Sequence, residues 1–107
     1  MKQLSTYIKE KLIINKNYIE PKIVVKSFYE LRKIIEDRYD KLGPGTKQNP
    51  IDFNDIDTSK ITSFKELFNR SNFEYIDISL WDTSQVDSME NMFYSCEKLV
   101  SIGDIGE

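Results

Sequence analysis

Apolar residues recur along the chain in more than one rhythm, and each rhythm predicts a different element. Leu4, Ile8 and Leu12 stand at i, i+4 and i+8 with Tyr7 on the same flank, while Lys9, Glu10 and Lys11 lie mostly opposite. Residues 3–14 therefore predict a short amphipathic helix, brief enough to need tertiary packing. Pro21 breaks that pattern, and the β-branched run Ile23, Val24, Val25 favours extended backbone because such side chains crowd a helix. From Phe28 the helical period returns: Phe28, Leu31, Ile34, Ile35 and Leu42 form one apolar stripe. Ser27 and Glu30 make S-x-x-E, a capping box in which each side chain satisfies an unpaired N–H of the first turn. Gly43 and Pro44 stop the helix predicted over 28–42, and GPGTKQNP reads as a loop.

The second half aligns with itself. Ile51 to Phe68 matches Ile76 to Phe93 without gaps at an offset of 25 residues, with seven identities that include Ile51/Ile76, Asp52/Asp77 and the Asp-Thr-Ser triplets 57–59 and 82–84. The remaining apolar positions match in kind: Phe53/Ile78, Ile56/Trp81, Ile61/Val86, Phe64/Met89 and Leu67/Met92. Such doubled agreement marks a repeat. Within each copy, Ile76 and Ile78 alternate as a short strand, and Asp82, Thr83 and Ser84 close a turn through side-chain bonds to nearby backbone. Ser88 and Ser63 then cap short helices, the latter with Glu66 three residues on, whose inward faces are Met89, Met92, Phe93 and Phe64, Leu67, Phe68. A third copy begins at SIGDIGE, with Asp104 and Ile105 where Asp77 and Ile78 stand.

Strand, turn, short helix and return predict an α/β fold: a leucine-rich-repeat-like solenoid of about two and a half coils with an N-terminal helical cap. Residues 1–50 are expected to form the cap and connecting loop, and residues 51–107 the repeats 51–75, 76–100 and a partial 101–107, all in one structural domain. A partial last strand exposes unpaired backbone and the apolar Ile102 and Ile105, so either self-association through the C-terminal edge or a disordered tail is expected.

Charge sharpens this division. Residues 1–50 carry eleven Lys/Arg against six Asp/Glu, a net +5, whereas residues 51–107 carry four against twelve, a net −8. Such asymmetry marks a candidate partner-facing surface, although each half can equally present an ordinary solvated face. No stretch approaches the run of about 20 apolar residues that crosses a membrane. The N-terminal MKQLSTYIKEKLIINKN lacks a signal-peptide core, and a single Cys excludes an internal disulfide framework. A cytoplasmic location is expected.

Catalytic chemistry finds little purchase. With no His the chain forms neither a Ser-His-Asp nor a Cys-His pair, nor an imidazole-ligated zinc site. None of its four Gly residues falls in a nucleotide-cradling motif. Cys96 aligns with Ser71 as a small packed residue, and Asp52, Asp55 and Asp57 lack the glycine and bidentate Glu of a calcium loop. Lys/Arg of the first half with Tyr7, Tyr18, Phe28 and Tyr29 can be set against a nucleic acid, but closing the open end of the repeats uses those aromatics better. The chain is therefore expected not to be an enzyme and to need no cofactor, metal, nucleic acid or membrane.

The string ISLWDTSQVDSMENMFYSCEKLVSI resembles the bacterial surface protein repeat (BspA-like), W-D-[VT]-S-x-V-x-x-M-x-x-M-F. Trp81, Asp82, Ser84, Val86, Met89, Met92 and Phe93 carry the match, whereas the first copy departs with Ile56, Phe64 and Leu67. That family is an atypical leucine-rich repeat, in a domain of unknown function first noted in mycoplasma. The leader is similar to that of members from gut bacteria and their phages. The resemblance implies no assigned reaction. The expected role is a non-enzymatic protein–protein interaction module with an unidentified protein partner, contacting it through Asp52, Asn54, Asp55, Asp77, Ser79 and Asp87. The alternative is a small phage or mobile-element inhibitor whose acidic half fills the basic groove of a host protein.

Overall fold

Ser27 opens a helix by the chemistry its sequence predicts: its hydroxyl oxygen accepts the Glu30 N–H at 3.1 Å. The Glu30 carboxylate reaches back to the Lys26 N–H at 2.6 Å, one residue earlier than in a regular capping box. Gly43, at φ 78°, ends the helix and donates its N–H to the Tyr39 carbonyl at 2.8 Å. A computed structural model describes residues 23–103, in the order β1 (Ile23–Val24), α1 (Phe28–Leu42), β2 (Ile51–Asp52), β3 (Ile56–Asp57) and β4 (Ile76–Asp77). The helix expected over 3–14 and the strand expected at Asp104 and Ile105 lie outside the described residues.

The strands form two parallel pairs. β1 lies beside β3 with Ile23 opposite Ile56, and β2 beside β4 with Ile51 opposite Ile76. The second register is the 25-residue repeat offset realised in space. Parallel pairing needs a long connection, and α1 with its loop supplies it between β1 and the strand pair it serves. The segments after the strands pair as well. The N–H groups of Phe64, Glu66, Phe68 and Arg70 donate to the carbonyls of Ser88, Glu90, Met92 and Tyr94 at 2.8 to 3.0 Å.

These facts overturn the expected solenoid of two and a half coils with an N-terminal helical cap. The described residues form a small unit with one helix and two short two-stranded parallel sheets. The physical reason lies in the backbone after each strand. Glu66, Arg70, Asn91 and Ser95 adopt φ of 61°, 61°, 56° and 57°, a left-handed region that no α-helix can pass through. Residues 64–71 and 89–96 are consequently runs of turns, in which Leu67, Asn69 and Ser71 donate to the carbonyls of Phe64, Glu66 and Phe68 while the alternate N–H groups point across to the next repeat. Ser63 and Ser88 accept from Lys65 and Glu90, two residues on, in place of the expected helix caps. Nor is α1 a cap added at one end. Its buried Leu31 and Ile35 belong to the same apolar cluster as Val25, Phe53, Ile56 and Trp81, so one core crosses the boundary expected at residue 50.

Burial falls from the first repeat to the second. Ile51, Phe53, Ile56, Ile61, Phe64, Leu67 and Phe68 are all buried. In the second repeat Ile76, Trp81 and Met92 are buried and Ile78, Val86 and Phe93 only partly so. Met89, expected to face inward, is 50% exposed, where its counterpart Phe64 is 1% exposed. Leu42, the last residue of the expected helical stripe, is likewise exposed.

Candidate functional site

The Asp-Thr-Ser triplets are turn devices that also link the repeats. Asp57 accepts the Ser59 N–H and Asp82 the Ser84 N–H, each at 2.9 Å, the side chain mimicking a turn of backbone. Between them, the buried Thr58 hydroxyl donates to the Asp82 carbonyl at 2.9 Å. The hydroxyl and N–H of Ser59 hold the Asp57 carboxyl below the usual aspartate range, and those of Ser84 do the same for Asp82. Both triplets are explained without any chemistry on a substrate.

Five of the six residues expected to meet a partner are tied to one another or to α1. Asn54, 5% exposed, takes the Asp52 carboxylate on its N–H at 2.8 Å and donates its amide to Asp77 at 3.0 Å. Its amide oxygen accepts the Leu80 N–H at 2.9 Å. Asp77 further accepts the Ser79 N–H at 2.9 Å and the Ser79 hydroxyl at 2.6 Å. Burial raises the Asp77 pKa, but the Ser79 hydroxyl, the Asn54 amide and the Ser79 N–H outweigh it and leave the carboxyl below its ordinary value. Asp55 makes a two-pronged ion pair with Arg38 of α1, at 2.8 and 2.9 Å. Asp87 stands outside this network and donates its N–H to the Thr62 carbonyl. Asp52 and Asp87 are exposed, while Asn54, Asp55, Asp77 and Ser79 spend their polar atoms mainly inside the fold.

Residues 40–106 match the family model described as Mycoplasma protein of unknown function, DUF285. The chain belongs to that family. No curated protein and no solved structure matches it. The family description assigns no activity, so what this DUF285 domain can do is a matter of what its surface offers.

Two features of the fold escaped the sequence reading. Arg38 was one polar residue among many on a helix, yet it clamps the repeats to α1. Besides Asp55, its guanidinium reaches the Asp52 carbonyl at 2.9 Å and lies 5.6 Å from the centre of the Phe53 ring. The second is the loop after α1, read only as a helix stop. The Pro44 carbonyl accepts from the N–H groups of Glu74 and Tyr75, so this loop fastens the entry to the second repeat. Gly45, at φ 86°, lies so near the Tyr75 carbonyl that a Cβ there would overlap its oxygen.

Several large apolar side chains remain open on the DUF285 domain. Leu80, Met89, Tyr94 and Val100 are half-exposed or more, all in the second repeat. Phe64, Ile78, Trp81, Met89, Met92 and Ile102 border a groove of about 410 Å³. Among the described residues no group of His, Cys, Asp or Glu is arranged to hold a metal, and no helix is long and apolar enough to cross a membrane. Cys96 packs between the repeats, its Sγ 2.9 Å from the Phe68 carbonyl.

Proposed function

We propose that this DUF285 domain is a non-enzymatic protein-interaction module that meets its partner through the acidic surface of its second half. One observation carries the reading: the second repeat leaves the large apolar residues Leu80, Met89, Tyr94 and Val100 exposed, and along the same stretch of chain the acids Asp82, Asp87, Glu90 and Glu97 are exposed as well. Apolar side chains left open and rimmed by charge are the usual make-up of a surface that another protein covers. The resemblance of Trp81 to Phe93 to the bacterial surface protein repeat supports the same reading. Of the residues expected from sequence to meet the partner, Asp52 and Asp87 are the exposed ones and are the ones to test.

The experiment is affinity capture with the parent and with an Asp52→Lys/Asp87→Lys variant, in a series of salt concentrations. A single protein retained by the parent and lost with the variant is expected. Equal retention by both would refute a role for the acidic surface. Loss of binding at moderate salt, with a nucleic-acid-handling protein as the captured species, would identify the inhibitor of a basic groove in place of an ordinary adaptor.

A further inference from the structure

We draw no further inference here: the strongest candidate, the cleft of about 210 Å³ between α1 and the first repeat, sets Arg32 and Arg70 against Glu36 and Asp40, so its charges single out no ligand, and nothing in the structure shows what covers it.

Discussion

Replacing Trp81 with alanine takes away both a packing piece and a hydrogen bond from the point where the repeats meet. The indole lies almost parallel to Phe68, 22° apart with centroids 6.2 Å apart, and 5.3 Å from Phe64. Its Nε1–H donates to the Phe53 carbonyl at 2.9 Å. Truncating a buried aromatic costs about 3–5 kcal/mol. Stranding the Phe53 carbonyl adds about 1–3 kcal/mol if water cannot reach it. Trp81 borders the open groove, however, so water and the flexible Met89 and Met92 can occupy part of the space. That relief places the total near 4 kcal/mol, a large share of the roughly 5–15 kcal/mol that holds a small domain together. Trp81→Phe keeps most of the ring and loses the N–H, and should cost about 1–2 kcal/mol. Urea unfolding followed by far-UV circular dichroism measures both, since the chain's only Trp, and with it the intrinsic fluorescence probe, disappears in the variants. A loss under about 1 kcal/mol for Trp81→Ala would refute the reasoning and mean that the indole carries no packing load.

Three further substitutions or conditions follow from the same geometry. Gly45→Ala should destabilise by more than about 2 kcal/mol, from left-handed φ and overlap with the Tyr75 carbonyl; a melting temperature equal to the parent's would contradict the clasp between this loop and the second repeat. Arg38→Ala should cost about 2 kcal/mol, and Arg38→Lys should restore little of it because only the planar guanidinium spans both Asp55 oxygens; full rescue by Lys in urea unfolding would reduce the contact to a simple charge. Asp57, Asp77 and Asp82 all have folded pKa values below that of an unfolded aspartate, about 3.9, so the unfolded chain binds protons more readily in acid. Their stabilisation is whole above that value and is lost as pH falls through the lower folded values, so unfolding free energy should drop below about pH 4, and less steeply in Asp57→Asn; a flat profile from pH 5 to 3 would speak against these turns.

The parts of this fold that sequence made legible are those written in side chains. Ser27, Glu30 and Gly43 bracket α1 because capping uses particular hydroxyl, carboxylate and glycine chemistry. The Asp-Thr-Ser turns and the 25-residue register were readable for the same reason. The segments after the strands were not. Met89, Met92 and Phe93 have helical spacing, but Glu66, Arg70 and Ser95 stand at left-handed φ without being glycine, and only Asn91 is of a type that favours it. There the backbone gains four bonds to the adjacent repeat in exchange for local strain, a trade between distant segments that no local pattern records. The candidate surface was obscured in a similar way. Asp55 and Asn54 look like exposed polar residues until Arg38, fourteen to seventeen positions away, and Asp77 are brought beside them.

Two repeats of one backbone conformation are joined, after their strands, by bonds from the N–H groups of Phe64, Glu66, Phe68 and Arg70 to the carbonyls of Ser88, Glu90, Met92 and Tyr94. Amide hydrogen exchange on the free protein tests these bonds residue by residue. Slow exchange at Phe64, Glu66, Phe68 and Arg70, together with the pairing of Ile51 and Phe53, is the expected result. Fast exchange at these four amides, with Ile51 and Phe53 protected, would contradict the account, because the segments after the strands would then not be joined.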